Sequence, residues 1–375
     1  MAYTSRAATL DGVRGGFSVR EAPVPEPEPG AMIVRQELCG ICGTDVHVFQ
    51  GHMPSVPMPV VLGHEIVGEI VALGDGVERD ATGRALAVGD RIGIKPGLPI
   101  AVDDYHGSIA LQPTIGQGRG AYGFAPTSMA HLPLPVTGGY ASHQYVVPGT
   151  FVYRMDGVSA EAASILEPLS VGIHAASRAV FNVGDTVVIQ GAGPIGLFCL
   201  IAAKERGAFT TIVIGAPADR LAFAKELGAD LTIDITAIRD PAERARMVRE
   251  ASGHGYGADI VIEATGVLAA LPEGFDLLRR GGQYVTCGHF TNVGDVSLNP
   301  WAHFTFKHIT LYGVWSSSHA HFVQARQLIE RGKYPFAKFV SHTLPLERVA
   351  EGIEAMSGRY EINGEPIRKV AVAAN

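Results

Sequence analysis

The stretch Thr186-Val-Val-Ile-Gln190-Gly191-Ala-Gly193-Pro-Ile-Gly196 decides the fold of this chain of 375 residues. A short apolar strand runs into a glycine-rich turn, and an apolar, alanine-rich run typical of a helix follows up to Gly207. In such a turn the first glycine permits the tight bend, the second lets the backbone approach a pyrophosphate, and the third lets the helix pack closely. The helix N-terminus receives the phosphates. The predicted dinucleotide contacts are therefore Gly191, Gly193, Pro194, Ile195 and Gly196.

The chain around this turn alternates between apolar strands and helical runs. Helices are indicated at Asp219–Leu227 and Pro241–Ala251. Strands are indicated at Thr186–Gln190, Thr211–Ile214, Leu231–Ile233, Asp259–Glu263, Gln283–Cys287 and Ile309–Gly313. Six strands joined by crossover helices predict an α/β fold with a doubly wound parallel sheet.

The segments on either side of this region have a different pattern. Residues 1–154 are β-rich, with strand candidates at Met32–Glu37, Ile66–Leu73 and Arg91–Ile94 between glycine and proline clusters. Residues 314–375 contain a helix, His319–Arg331, and a closing strand, Ile367–Ala373. We expect this last segment to return to the first domain. Residues 155–313 would then be a dinucleotide-binding insertion, with the active site in a cleft.

A metal site is predicted from two stretches, Cys39-Gly-Ile-Cys42-Gly-Thr44-Asp45-Val-His47 and Gly63-His64-Glu65-Ile-Val-Gly68. A thiolate and an imidazole with carboxylates beside them suit a zinc ion that keeps an open coordination position. The alternative, a redox pair formed by Cys39 and Cys42, leaves the His64 motif unexplained.

Charge and composition exclude several classes of protein. The net charge is −7 and no basic stripe is present, which argues against nucleic acid as a partner. No signal segment opens the chain, and glycine and proline interrupt the apolar runs well before membrane-spanning length. Four cysteines are too few for a disulfide framework in a chain of this length. We expect a soluble, cytoplasmic protein.

Together with Ile165-Leu-Glu167-Pro168-Leu-Ser-Val-Gly-Ile-His174, these motifs resemble the zinc-dependent medium-chain alcohol and polyol dehydrogenases, in particular the sorbitol and threonine dehydrogenase branch. The resemblance implies a β-rich GroES-like catalytic domain into which a Rossmann domain is inserted. It implies hydride transfer between a secondary alcohol or polyol and a nicotinamide cofactor. It also implies a homodimer or homotetramer, in which the strand Ile309–Gly313 pairs across a two-fold axis.

The resemblance assigns roles to the matching residues. Cys42 and His64 are zinc ligands, and Glu167 occupies the third-ligand position, with Glu65 as the alternative carboxylate. A zinc ion lowers the pKa of a bound hydroxyl from about 16 to about 7, so an alkoxide forms at neutral pH. The remaining roles are substrate hydrogen bonding by Thr44, proton relay through the cofactor ribose by His47, orientation of His64 by Asp45, and pyrophosphate contact by Arg368.

The chain departs from the family in the stretch Lys95–Tyr145. Many relatives carry four clustered cysteines there that bind a structural zinc ion, whereas this stretch contains no cysteine. We therefore expect one catalytic zinc ion per subunit and no structural zinc. We expect a long loop there, indicated by Gly116–Gly120, Pro126, Pro133 and Pro135, and this loop is a candidate to cover the substrate cleft.

A second departure lies at the end of the second Rossmann strand. Gly215 stands where an NAD-specific site usually has an acid, and Arg220, a candidate for a 2′-phosphate, follows only after Asp219. Both NAD and NADP therefore remain open, with NAD slightly preferred. We expect weak discrimination, which an aspartate introduced at Gly215 would shift towards NAD.

Two other functions remain open at this point. A zinc-free quinone or enoyl reductase would keep the glycine-rich turn but would not need Cys42 with His64. A non-catalytic nucleotide-binding protein would need neither the metal residues nor the relay residues. Metal analysis of the purified protein separates these readings, because one zinc ion per chain fits only the dehydrogenase.

Overall fold

A computed structural model describes residues 3–98, 120–124 and 129–374. The chain forms two compact units, Met1–Glu167 with Ser318–Asn375, and Pro168–Ser317. The transitions predicted from the sequence, after residues 154 and 313, lie before these two boundaries. Within the stretch Lys95–Tyr145, residues 99–119 and 125–128 of the predicted cleft-covering loop lie outside the described residues.

The strands, numbered in chain order, overlap each stretch for which the sequence predicts a strand. They are β1 Thr4–Leu10, β2 Phe17–Pro23, β3 Met32–Gly40, β4 Val60–Val61, β5 Glu65–Leu73, β6 Arg91–Ile94, β7 His143–Val146, β8 Val152–Arg154, β9 Thr186–Gln190, β10 Thr210–Gly215, β11 Leu231–Asp234, β12 Ala258–Glu263, β13 Leu278–Thr286, β14 Thr310–Gly313, β15 Val340–Pro345, β16 Glu361–Ile362, β17 Glu365–Pro366 and β18 Lys369–Ala373.

The α-helices are α1 Gly43–Gln50, α2 Ala160–Ala163, α3 Leu166–Arg178, α4 Pro194–Glu205, α5 Ala218–Glu226, α6 Pro241–Ala251, α7 Ala270–Leu277, α8 His319–Arg331 and α9 Val349–Glu354. None of the helices in the described part of the chain combines the length and apolar character needed to span a membrane.

The first unit is built on a β-sheet with the order β15-β18-β3-β5-β6-β8, in which β7 also pairs with β3. A smaller sheet has the order β2-β1-β4. The closing strand β18 runs antiparallel to β3 and sets Ala371 opposite Gly40 and Val372 opposite Cys39. The C-terminal segment therefore returns to the N-terminal sheet and ends beside the cysteine motif.

The second unit contains a sheet with the order β11-β10-β9-β12-β13-β14, and each neighbouring pair is parallel. In chain order within the unit this is 3-2-1-4-5-6, the arrangement of a dinucleotide-binding domain made of two mononucleotide-binding halves. Strand β9 is fully buried, which matches its continuous apolar sequence. The predicted doubly wound parallel sheet is confirmed.

Candidate metal and dinucleotide sites

Cys42, His64 and Glu65 lie together because β3 and β5 pair antiparallel. Gly40 at the end of β3 is opposite Glu65 at the start of β5, so the residues that leave one strand meet those that enter the other. One potential ligand atom from each of Cys42, His64 and Glu65 lies within 4.8 Å of the others, the one such group among the described residues. A thiol, an imidazole and a carboxylate are donors that zinc accepts. The three side chains therefore fit this metal.

Asp45 holds the segments around this group in place through hydrogen bonds. Its carboxylate is fully buried. It accepts hydrogen bonds from the Cys42 N–H at 2.8 Å, the Gly63 N–H at 3.2 Å and the Tyr140 hydroxyl at 2.8 Å. Its Oδ1 lies 3.5 Å from Nδ1 of His64. Burial raises the pKa of Asp45, but His64 and the hydrogen bonds outweigh burial and hold this pKa below its ordinary value.

The charges around His64 raise the pKa of its imidazole, whereas the pKa of Asp45 is lowered. Burial lowers the pKa of His64, whereas Asp45 and then Cys42 raise it, and the net pKa lies well above the ordinary value. The nearly buried ring thus sits in a negative environment that favours a cation. The ring also packs against Phe124, with 5.2 Å between the ring centroids, which gives the site an apolar wall.

Glu65 forms a buried ion pair with Lys369 of β18. The Lys369 ammonium also lies 3.4 Å from the Ile41 carbonyl oxygen. Burial lowers the pKa of Lys369, but Glu65 and then Cys42 raise it above the ordinary value. A Cβ on Gly40 would overlap Oε2 of Glu65, so glycine is required where β3 passes the pair.

Glu167 lies in the first turn of α3 and is not one of the three grouped side chains. Burial raises the pKa of Glu167 to about 7, the His64 imidazole opposes this rise, and the Glu65 carboxylate adds to it. The charges of the site therefore affect the pKa of the Glu167 carboxyl. Of the two carboxylates that the sequence leaves open, Glu65 is the one grouped with Cys42 and His64.

The predicted relay residues lie on helix α1, which is not among the helices that the sequence predicts. Cys42 is the N-cap of α1, so Thr44 and His47 are carried by its first turns. The Thr44 hydroxyl oxygen lies 3.5 Å from the sulfur of Cys42. His47 contacts His52, with 2.9 Å between the two Nδ1 atoms. Burial and then the charge of His52 lower the pKa of His47.

Cys39 has the environment of a packing residue. It is fully buried, and its sulfur fills the space that a Cβ on Gly139 would occupy. Burial, followed by the charges of Asp45 and Glu65, raises the pKa of the Cys39 thiol well above its ordinary value. Redox exchange needs a thiolate, which these surroundings disfavour. They therefore weaken the redox-pair alternative.

The three glycines of the dinucleotide turn differ in the space that surrounds them. Gly191 has φ +112°, a left-handed conformation that favours glycine. A Cβ on Gly196 would overlap the Gly191 carbonyl oxygen, whereas a Cβ on Gly193 would meet nothing within 4 Å. Gly193 is the N-cap of α4, and Pro194 follows at the first helical position with Ile195 after it. The turn and the N-terminus of α4 thus offer backbone groups to an anion.

An aspartate at Gly215, expected to supply a ribose acceptor, fits only if the neighbouring turn shifts, and the expected gain in preference for NAD stays a prediction. Gly215 ends β10 beside the dinucleotide turn. A Cβ there would lie 2.7 Å from the Ala192 nitrogen and 2.9 Å from its Cβ, so any side chain displaces the turn itself. Arg220, the candidate for a 2′-phosphate, is 7% exposed on α5.

Arg368 is held at the start of β18. Its Nε donates to the Lys338 carbonyl oxygen at 3.0 Å, and its backbone N–H donates to the Ser341 hydroxyl oxygen at 3.0 Å. The pyrophosphate contact implied for Arg368 stays a prediction.

The sequence reading missed three residues that support the site. Tyr140 holds Asp45, Lys369 pairs with Glu65, and His52 contacts His47. Lys369 could have been noticed in the sequence, because it is a lysine at the start of the otherwise apolar strand Lys369–Ala373. Tyr140 and His52 carry no such signal, because their contacts depend on how segments meet in the fold.

Comparison with known proteins gives consistent results. The family model described as the alcohol dehydrogenase GroES-like domain matches residues 28–156, and the model described as zinc-binding dehydrogenase matches residues 194–331. Sorbitol dehydrogenase from Ovis aries is 33% identical over 91% of this chain and 90% of its own length. The 5-exo-hydroxycamphor dehydrogenase from Pseudomonas putida is 34% identical over 89% of this chain and 91% of its own length.

Solved structures agree with these matches. An alcohol dehydrogenase from Thermotoga maritima superposes with a TM-score of 0.89 and 31% identity, covering 100% of both chains. A structure described as a zinc-binding dehydrogenase from Sinorhizobium meliloti, bound to NADP, has a TM-score of 0.84 and 27% identity, covering 99% of both chains.

Proposed function

The chain belongs to the zinc-dependent medium-chain alcohol and polyol dehydrogenases, and from this membership we propose that Cys42, His64 and Glu65 hold one catalytic zinc ion per chain. As a member, the protein is an oxidoreductase that transfers hydride between an alcohol or polyol and a nicotinamide cofactor. The grouping of the three donor atoms within 4.8 Å is the observation that carries the proposal.

A zinc ion bound there would polarise the substrate hydroxyl and lower its pKa towards neutrality. The protein supplies the surroundings for this step. Asp45 accepts hydrogen bonds from Cys42 and Tyr140 and lies beside His64, which fixes the imidazole in orientation. Lys369 balances the charge of Glu65. With the three protein donors that the described residues bring together, a fourth position would stay open for the alcohol oxygen.

Glu167 is the second candidate for the third ligand, and we propose that it acts through water while Glu65 binds directly. The proposal is supported by the grouping of Glu65 with Cys42 and His64, and by the raised pKa of about 7 that burial gives Glu167. Zinc content measured after Glu65→Gln and after Glu167→Gln separates the two roles. We expect the larger loss of zinc for Glu65→Gln.

We propose that Thr44 hydrogen-bonds the substrate oxygen and that His47 accepts the released proton. The Thr44 hydroxyl lies 3.5 Å from the Cys42 sulfur and therefore borders the proposed metal site. The lowered pKa of His47, due to burial and His52, favours the neutral imidazole that a proton acceptor requires.

We propose that the glycine-rich turn from Gly191 to Gly196 binds the pyrophosphate, that Arg368 adds a charged contact, and that NAD is slightly preferred over NADP. The preference is supported by the burial of Arg220, since a 2′-phosphate needs an accessible cation. Titration of the protein with NADH and with NADPH, followed by cofactor fluorescence, compares the two affinities directly.

The substrate is proposed to be a secondary alcohol with an apolar group beside the carbinol carbon. Phe124 packs on His64 and gives the metal site an apolar neighbour. Initial rates with sorbitol, linear secondary alcohols and cyclic alcohols test this proposal. A preference for sorbitol would contradict the apolar assignment and leave the dehydrogenase function intact.

We propose a homo-oligomer in which β14 pairs with its copy in a second chain. β14 is the last strand in the sheet order, and its Leu311 is 46% exposed. Trp301 and Trp315 near it in sequence are 63% and 55% exposed. An exposed, apolar edge strand is a ready site for strand pairing. Sedimentation of the wild type and of Leu311→Lys tests the interface.

The decisive test of the proposed function is zinc content together with alcohol oxidation. We expect about one zinc ion per chain by elemental analysis and nicotinamide reduction that a chelator abolishes. Quinone or enone reduction by zinc-free protein would instead support the reductase alternative. Dinucleotide binding with no turnover of any alcohol in the panel would support the non-catalytic one.

A further inference from the structure

We propose that His52 carries the proton from His47 to solvent, so that the relay of this chain consists of two imidazoles in series. The proposal rests on the relay role proposed for His47 above. It follows from the direct contact between the two rings, whose Nδ1 atoms are 2.9 Å apart and whose centroids are 5.2 Å apart.

The backbone fixes this contact. Helix α1 ends at Gly51, whose φ of +81° places it in the left-handed conformation. The chain then folds back, and the His52 N–H donates to the His47 carbonyl oxygen at 2.9 Å while the Gly51 N–H donates to Val48 at 3.0 Å. This helix-end motif ties residue 52 to residue 47. The pairing of the rings is thus supported by the turn and not only by side-chain rotamers.

The two rings differ in exposure in the direction that a relay needs. His47 is half-buried on α1, whereas His52 is exposed. Nδ1 of His47 is engaged with His52, and in the proposed relay the proton from the reaction enters at Nε2 of His47. The corresponding outer atom is Nε2 of His52, a residue that is exposed to solvent.

Burial and then the charge of His52 lower the pKa of the His47 imidazole. Helix α1 also packs against α9 and the turn Ala355–Arg359. On these elements Arg348 and Glu351 bond each other, and Glu354 and Arg359 are the other charged side chains. The loop before β2 contributes the backbone N–H of Arg14, which donates to the Phe49 carbonyl oxygen.

The transfer moves one proton and changes only N–H bonds. In the starting state, Nδ1–H of His47 donates to Nδ1 of His52. When Nε2 of His47 takes up a proton, the Nδ1–H bond of His47 breaks and a new Nδ1–H bond forms on His52. His52 then loses its Nε2 proton to water. Exchange with water restores the starting tautomers once product and cofactor have left.

Single-turnover proton release tests this relay apart from slower steps. The zinc-loaded enzyme with saturating NAD and a secondary alcohol is mixed in a stopped-flow instrument with a pH indicator dye, and NADH formation is followed in parallel. We expect His52→Gln to slow proton release at least about threefold at pH 7, with the difference lost above about pH 9, where hydroxide accepts the proton directly. Added imidazole should restore the rate of His52→Ala.

The double variant distinguishes a series relay from a merely structural role. If the two rings act in series, His47→Gln combined with His52→Gln releases the proton no more slowly than His47→Gln alone. The exposed His308 provides the matched control, because His308→Gln removes a surface histidine of the second unit. Unchanged proton release in His52→Gln, or a further loss in the double variant, would overturn the proposal. Wild-type protein that forms no NADH would instead contradict the proposed function itself.

Discussion

The two functional regions of this chain are built in opposite ways. The metal site is made of charged and polar side chains that are buried together, with Asp45 fully buried and Glu65 paired with Lys369. The dinucleotide turn is made by leaving side chains out, since a Cβ on Gly196 or Gly215 would press on the backbone of the turn itself. The metal site therefore depends on buried opposite charges that compensate each other. The dinucleotide turn depends on free space around its backbone.

This difference predicts two kinds of failure. A substitution at the metal site leaves a partner charge uncompensated in a buried place, and a second substitution that removes the partner should relieve the damage. A substitution at the turn produces overlap with backbone atoms, which no single partner change relieves.

The largest effect is expected at the metal site for Cys42→Ser. A hydroxyl is a poor replacement for a zinc thiolate, so we expect loss of zinc and a fall in kcat/KM for alcohol oxidation of at least about a thousandfold, or about 4 kcal/mol. NADH binding should persist, because the turn lies in the other unit. Cys39→Ala is the matched control and should keep its zinc. Full zinc content and turnover in Cys42→Ser would remove Cys42 from the site.

The next effect concerns the buried ion pair. Lys369→Met leaves Glu65 charged and buried, so we expect the free energy of unfolding of the metal-free protein to fall by about 3–5 kcal/mol. Lys338→Met, at an exposed lysine, should change it by less than about 0.5 kcal/mol. Denaturant unfolding in the presence of a chelator provides the measurement. Adding Glu65→Gln to Lys369→Met should recover most of the loss, and a double variant as unstable as the single one would break the comparison.

Two glycines of the turn provide the complementary test. Gly196→Ala should lower the free energy of unfolding by about 1–3 kcal/mol, because its Cβ would overlap the Gly191 carbonyl oxygen. Gly193→Ala should leave stability nearly unchanged, since nothing lies within 4 Å of its Cβ, yet weaken NADH binding at least about tenfold by blocking the pyrophosphate. Thermal unfolding and NADH titration of both variants separate the effects. Normal NADH affinity in Gly193→Ala would contradict the idea that the pyrophosphate binds close to the backbone at Gly193.

The smallest effect is a change in the pKa of His47. Burial and the positive charge of His52 both lower this pKa. His52→Gln removes the charge, so the pKa of His47 should rise, and the ring should lose its proton at a higher pH than in the wild type. Histidine-labelled protein titrated by NMR reports the pKa, with His47→Gln identifying the signal. A pKa of His47 that stays constant or falls would show that His52 does not act on it.

The sequence predicted the second unit more completely than the first. Strand β9 and helix α6 have the predicted bounds because continuous apolar runs and a proline start are local signals. Helix α1 was missed, since glycine after Cys42 suggests a loop and the helix depends on the bond from Cys42 to Asp45.

The same distinction holds within the metal site. Cys42, His64 and Glu65 were found from two local motifs, and the structure groups them. Lys369 lies more than 300 positions from Glu65 along the chain and reaches it only through the pairing of β18 with β3. The crowding at Gly215 likewise depends on contact between a strand end and a separate turn, which no single segment of sequence reveals.

Zinc K-edge absorption spectroscopy of the zinc-loaded protein tests the central claim most directly. If Cys42, His64 and Glu65 hold the metal, the first shell should contain one sulfur at about 2.3 Å and nitrogen or oxygen atoms at about 2.0–2.2 Å. The sulfur contribution should vanish in Cys42→Ser and persist in Cys39→Ala. A shell of two or more sulfurs, or a sulfur contribution that survives in Cys42→Ser, would contradict the account.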